Sequence, residues 1–256
     1  MAESWGETAP GESGKEAGRG VPSAGCIFRL EPEACGVPRI LFVTGSDTGV
    51  GKTVLTALLI RRLRARGEEA LAVKPFCSGG RADAEILRAA QDDEVTLDAI
   101  NPWAFRAALT PLLAARRERR AIPAAEALHY LRAAARLTPT LLVEGAGGLL
   151  SPLGEGYAAR ELIARLRAEA LVVCANRLGV INQARLTLAA LPPAARAGAR
   201  IVLMAQPQPD SSAAGNVALL RELVGPERIW TLPFLAEAHH APLTPALART
   251  LDGLTG

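Results

Sequence analysis

The chain has 256 residues, 49% hydrophobic and 21% charged, enough for one large globular α/β domain with a full core and too apolar for a disordered protein. Twenty-nine Lys+Arg against 26 Asp+Glu leave a net charge of +3, too balanced to suggest nucleic-acid binding, and the arginines at 61–66 and 116–120 read as solvated helix faces. The four cysteines, Cys26, Cys35, Cys77 and Cys174, show no C-x-x-C spacing and read as reduced thiols of a cytoplasmic protein; no apolar run reaches transmembrane length.

Residues 1–38 are rich in Gly, Glu, Ser and Pro and lack apolar periodicity. With no apolar h-region and several glutamates, they match neither a secretory signal nor a transit peptide. They read as a disordered tail or an over-extended start, with residues 39–256 forming the folded domain. The first convincing element is an apolar, β-branched strand at 40–43. A helix follows from Val54, with Leu55, Leu58, Leu59 and Leu63 at helical spacing and Gly67 as its stop. Residues 70–76 predict a second strand, 82–91 a short helix, and Asn101-Pro102 and Thr110-Pro111 punctuate a loop region. An alanine-rich helix is expected over 123–137 with Pro123 in its first turn. Strands at 140–144, 171–175, 201–205 and 229–232 then alternate with helices near 158–168, 181–191, 213–224 and 244–252. Such alternation predicts a mostly parallel sheet with helices on both faces, right-handed crossovers, and ligands at the strand C-termini.

The first of those strand ends carries the clearest chemistry. Gly45 to Gly51 joins a strand to a helix N-terminus, where backbone N–H groups are unpaired and the helix dipole is positive. Glycines let that backbone curl round an anion, Lys52 adds a full charge and Thr53 offers a hydroxyl to magnesium. The stretch is a phosphate-binding loop, with Ser46 where the strict pattern has glycine. Lys74, followed by Pro75 and Ser78-Gly79-Gly80, ends the second strand; Glu144 ends the third, before Gly145-Ala146-Gly147-Gly148. Lys52, Thr53, Lys74, Asp83 and Glu144 are therefore expected at one crevice, with lysines for phosphate and hard oxygens for magnesium. Asp83 also reads as a helix N-cap and Glu144 as a cap of the turn after it. His129, His239 and His240 have no partner cluster and read as surface residues.

The segments "FVTGSDTGVGKT", "VKPFCSGG", "NPWAF", "LLVEGAGGLLSPL", "ANRLGVINQARLT" and "LPFLAE" occur in the order and spacing of the dethiobiotin synthetases, a resemblance that covers residues 39 to about 237. The resemblance implies a P-loop NTPase-like fold and an ATP- and magnesium-dependent cyclo-ligase of biotin biosynthesis. Such an enzyme forms a ureido ring on 7,8-diaminononanoate with carbon dioxide, through a carbamate and a carbamic–phosphoric anhydride. It implies Lys74, Lys52 and Ser78 as catalytic residues, and Thr53, Asp83 and Glu144 at magnesium. Nucleotide would be held by Gly49, Val50, Gly51, Lys52, Thr53, Val54, Asp83, Glu144, Gly145, Ala146, Gly147, Gln206, Pro207 and Glu237. It implies a homodimer in which Leu178-Gly-Val-Ile-Asn182 receives the substrate carboxylate across the interface, with neither nucleic acid nor membrane as partner.

Two positions depart from the family pattern. Arg177 stands where many relatives have lysine, and Gln206 where the family often has an asparagine that reads adenine. Three other readings stay open. One is an amidoligase like the cobyrinate a,c-diamide synthases, for whose glutaminase domain the chain has no room. A second is a ParA/MinD-like ATPase switch, which needs a lysine where Asp47 stands. The third is a non-catalytic paralogue.

Overall fold

The computed structural model describes residues 37–235 and 241–256. The expectations for the tail, Cys26, Cys35, Glu237, His239 and His240 fall outside those residues, apart from the tail's last two positions.

Six parallel strands make the central sheet, in the order β10-β9-β8-β1-β5-β2. They are β1 (Arg39–Gly45), β2 (Ala70–Val73), β5 (Thr140–Glu144), β8 (Glu169–Ala175), β9 (Arg200–Met204) and β10 (Ile229–Leu232). Parallel strands cannot be joined by tight turns, so helical connections lie between them. In β1, β5 and β8 almost every residue is buried, whichever way its side chain points, so both faces of the sheet are covered.

Helix α1 (Lys52–Ala65) packs against β1, β2 and β5 with Leu55, Leu58, Leu59, Ile60 and Leu63 buried. Arg62 and Arg64 in its last turn complement the helix dipole. Gly67, at φ 76°, ends it: its N–H reaches the Arg64 carbonyl and that of Glu68 the Leu63 carbonyl, the paired bonds of a Schellman motif. Around α1 lie α2 (Ala82–Ala89), the short α3 (Leu97–Ile100) beyond it, and the C-terminal α10 (Pro245–Thr255). A second group holds α5 (Ala124–Ala135), α6 (Ala159–Leu166) and α8 (Pro193–Ala197), while α7 (Val180–Ala190) meets α9 (Ala213–Val224). Among the described residues no helix is long and apolar enough to cross a membrane.

The expected strand over 70–76 is corrected: it is two strands in two sheets. β2 stops at Val73, and β3 (Phe76–Ser78) pairs instead with β4 (Trp103–Phe105). The break sits at Lys74-Pro75, where proline has no N–H to give a ladder and the Lys74 N–H turns to the Ile100 carbonyl. Phe76 stacks on Trp103 at 5.2 Å, and Tyr130 meets Trp103 edge-on, so aromatic packing holds the small sheet. The expected loop region also contains α3 and α4 (Pro111–Arg117), and the turn after β5 leads to an antiparallel pair, β6 (Pro152–Gly154) and β7 (Tyr157–Ala158).

Candidate active site

The register of the main sheet sets the site. Val43 of β1 is level with Glu144 of β5, and Val73 of β2 is level with Val143. The next residue after β2 is Lys74, so Lys74 and Glu144 emerge side by side at the sheet's C-terminal rim. The loop that follows Gly45 rises from the same rim. These segments surround a cleft of about 550 Å3 lined by residues that include Thr48, Gly49, Gly51, Lys52, Thr53, Lys74, Ser78, Asp83, Glu144 and Gly147.

The glycine loop has the form its composition requires. Gly51 precedes α1 at φ 100°, a backbone that residues with side chains rarely adopt, and no side chain caps the helix. The Lys52 Nζ curls over the loop and donates to the Asp47 carbonyl at 2.8 Å. Burial and the neighbouring Lys74 bring its pKa down to about 8, against the opposing pull of Glu144, Asp83 and Asp47. Opposite, Gly147 turns at φ 68°, and a Cβ there would sit 2.6 Å from Ser151 Oγ.

Lys74 is the hub of the charged cluster. Its Nζ donates to Glu144 Oε1 at 2.5 Å and to the Gly145 carbonyl at 3.3 Å, and lies 3.1 Å from Asp83 Oδ2. Burial alone opposes its charge, but Glu144 and then Asp83 overcompensate and hold the ammonium above the ordinary lysine range. Thr53 Oγ1 donates to the same Glu144 oxygen at 2.6 Å. Glu144 Oε2 and Ser78 Oγ are buried with no hydrogen-bond partner. The thiol of Cys77, pushed up to about 11 by burial, lines the cleft as a protonated, apolar wall. Asp83 lies in the first turn of α2, whose N-cap is Arg81, so the N-cap reading of Asp83 is set aside. Glu144 likewise caps no turn; its bonded oxygen accepts from Thr53 and Lys74.

Val54, Ala146 and Gly147 also line the cleft, whereas Gln206 and Pro207 do not. Gln206 folds back, its Nε2 donating to the Met204 carbonyl at 3.0 Å. Leu178 is exposed, and its N–H donates to Asp210 Oδ2 at 2.8 Å. The sequence reading missed Leu109, Pro111 and Ile86 on the cleft wall; Thr110-Pro111, an N-cap followed by proline at N1, was the signal for the helix that begins at Pro111, with Leu109 just before its cap.

The residues fit a magnesium-bound triphosphate. Among the described residues no group of three or more His, Cys, Asp or Glu could hold a metal. Magnesium, however, is commonly held by one or two carboxylates and a hydroxyl, with phosphate and water completing its shell. Thr53 Oγ1 and the orphaned Glu144 Oε2 offer such a set beside the loop.

A phosphate-binding loop between a parallel strand and a helix, with a second lysine at a neighbouring strand end, defines an α/β protein of the P-loop NTPase class. The comparisons agree. The MinD cell division protein of Aquifex aeolicus superposes with a TM-score of 0.53 at 14% identity, over 85% of this chain and 95% of that one, a likeness that speaks to fold alone. A family model described as an AAA domain matches residues 39–241. The ATP-dependent dethiobiotin synthetase BioD of Anaeromyxobacter sp. (strain K) is 42% identical over 201 residues, which are 77% of this chain and 90% of that protein. Its counterpart in Akkermansia muciniphila is 39% identical over 153 residues, 60% of this chain and 72% of that one. The chain belongs to the ATP-dependent dethiobiotin synthetase family.

Proposed function

We propose that this protein is a dethiobiotin synthase of biotin biosynthesis, closing the ureido ring of dethiobiotin from 7,8-diaminononanoate and carbon dioxide at the expense of ATP. The observation that carries this reading is the placement of Lys52 and Lys74. They are the only lysines among the described residues, they leave different strand ends, and both face one cleft. Two anions must meet there, a triphosphate and a carbamate, and they repel unless positive charge lies between them.

One substrate amine adds to carbon dioxide and loses a proton, giving the carbamate. A carbamate oxygen attacks the γ-phosphorus, and ADP departs with the electrons of the bond to the bridging oxygen. The second amine attacks the carbamoyl carbon, phosphate departs with the electrons of its C–O bond, and the ring closes with loss of a proton. Lys52 now donates to the Asp47 carbonyl and is poised to turn to the β- and γ-phosphates. Lys74, kept charged by Glu144 and Asp83, stabilises the carbamate and the phosphoryl group in transfer. The unpartnered Ser78 hydroxyl is the hydrogen-bonding group for the carbamate or its amine. Magnesium, when bound, neutralises charge on the phosphates; Thr53 and Glu144 would hold it, and Asp83 sits within reach through its contact with Lys74.

A cytoplasmic homodimer completes the reading. Gly179 opens α7 with no side-chain cap, leaving N–H groups that suit a carboxylate arriving from the partner's cleft. The deciding assay measures ADP release and dethiobiotin formation from diaminononanoate, bicarbonate, ATP and magnesium. Release that depends on the diamine supports the synthase. ATP turnover stimulated by DNA or lipid instead would indicate a switch, and nucleotide binding without turnover a non-catalytic paralogue.

A further inference from the structure

The N-P-W-A-F segment has no part in the chemistry above, yet its first residue is buried under the catalytic rim. Asn101 is 1% exposed. Its Nδ2 donates to the Lys74 carbonyl at 2.9 Å and to the Pro75 carbonyl at 3.1 Å. Those two carbonyls lie where the chain has left β2 and not yet entered β3, so neither has a place in the main sheet's ladder. The Ile100 carbonyl accepts from the Lys74 N–H, and the Trp103 N–H donates to the Pro75 carbonyl. Residues 100–103 thus stand in for the missing strand, and the register that follows sets Ser78 against Phe105.

Asn101 is itself held. Its Oδ1 accepts from Arg81 Nε at 3.1 Å, and the same guanidinium reaches the carbonyls of Leu97 and Asn101 and the carboxylate of Asp98. Arg81 is also the N-cap of α2, the helix that presents Asp83 to Lys74. One side-chain amide therefore ties the backbone of Lys74 to the helix that carries its second carboxylate.

We propose that Asn101, anchored by Arg81, is a positioning residue that fixes the break at Lys74-Pro75 and so aims the Lys74 ammonium between Glu144, Asp83 and the cleft. The proposal rests on the reading of Lys74 as the catalytic cation. It differs from a purely structural role because its effect falls on one lysine and not on the phosphate loop. A displacement of about 1 Å at a reacting group costs on the order of 100-fold in rate, so a loss of about 10- to 100-fold in kcat is expected.

The chain suits a direct test, because lysine occurs only at positions 15, 52 and 74. Lysine labelled with 13C at Cε gives three resonances, assignable from Lys→Arg variants. Asn101→Asp keeps the side-chain volume and an acceptor for Arg81 but removes the amide's donations to the Lys74, Pro75 and Trp103 carbonyls; Asn101→Ala removes everything. In both, the Lys74 resonance should move, while the Lys52 resonance and ATP affinity stay as in the wild type and kcat drops. An unmoved Lys74 resonance with wild-type kcat overturns the proposal, whatever the loss in Tm. If neither Asn101 variant folds, Arg81→Ala carries the test: the same signature at smaller size supports positioning, and wild-type values overturn it. The resonances are read without the diamine, so a protein that forms no dethiobiotin would refute the functional reading while the Lys74 resonance still decides the role of Asn101.

Discussion

Lys74 and Glu144 are 70 positions apart and meet at 2.5 Å because β2 and β5 are neighbours in parallel register. Neither is exposed beyond 4%. A buried ion pair gains much of its attraction only to offset desolvation, so its value lies less in net stability than in what happens when one partner is lost. Here the pair has other company: Thr53 and Asp83 share it, and Glu144 Oε2 has no donor. The cluster is a charged site held ready at the rim.

Removing the ammonium should therefore cost both rate and stability. Lys74→Ala is expected to reduce turnover to below about 1% of wild type through loss of transition-state charge stabilisation, with ATP affinity within a few-fold. Stability should fall by about 3–5 kcal/mol because Glu144 is left buried and unpaired. Adding Glu144→Gln should recover part of that loss in urea unfolding while leaving the rate low. Wild-type turnover in Lys74→Ala would remove this residue from the mechanism.

Nucleotide binding should take up a proton at alkaline pH. Free Lys52 has its pKa lowered to about 8, chiefly by burial, so near pH 9 it is largely neutral. A phosphate favours the charged form and raises the pKa, so binding there draws in about one proton, whereas near pH 7 it draws in almost none. ATP affinity should be flat below pH 8 and weaken above it. Titration calorimetry in buffers of different ionisation enthalpy measures the proton count; a value near zero at pH 9 would contradict the assignment.

Much of this arrangement was legible because the strand–helix alternation and the rule that ligands gather at strand C-termini rest on local pattern. The Lys74-Pro75 break was not legible. Phe76-Cys77 continues the apolar run of β2, and only the Ile100 and Asn101 contacts, some 26 residues on, show that the chain has left the sheet. The short elements α3, β4 and β6 escaped notice for the same reason: they are too brief to show a period and are held by tertiary packing such as Phe76 on Trp103. Lys52, Thr53, Lys74, Ser78, Asp83 and Glu144 line one cleft, as their strand-end positions suggested, but that Thr53 and Lys74 share one oxygen of Glu144 is a matter of geometry that spacing does not carry. The adenine role expected of Gln206 lies away from this cleft, its amide turned to Met204.

Magnesium dependence should report on Glu144. Glu144→Gln keeps the shape but removes the charge, and Thr53→Ala removes the hydroxyl. Each should raise the magnesium concentration for half-maximal ADP release, by about tenfold or more for Glu144→Gln. An unaltered magnesium titration would count against the ligand role.

The acid limb of stability should depend on the C-terminal helix. Asp252 of α10 accepts from Arg62 Nε at 2.7 Å and Nη2 at 2.8 Å, and from Arg66 at 3.1 Å. The Arg62 hydrogen bonds, with help from Arg66, bring its pKa down to about 2 from an ordinary 3.8. A carboxylate with a lowered folded pKa contributes stability that is present above pH 3.8 and lost as the pH falls through the interval down to about 2. Asp252→Asn should lose that contribution at pH 7, where the wild type has it in full, and converge on the wild type as the pH falls to about 2, so that its stability changes less over that window, as read by circular dichroism.

Dimer formation should hinge on the surface opened by Leu178. This leucine is 80% exposed and Leu186, further along α7, is 61% exposed, while Leu150 after the Gly145–Gly148 turn is 60% exposed. Leu178 and Leu186, this open on and just beyond the segment proposed to receive a partner's substrate, call for a covering surface. Leu178→Glu should halve the mass seen by sedimentation velocity and raise KM for the diamine, whose carboxylate loses its receiver, while ATP binding to the glycine loop persists. A wild-type protein that sediments as a monomer at all concentrations, yet turns over, would mean that the cleft works alone.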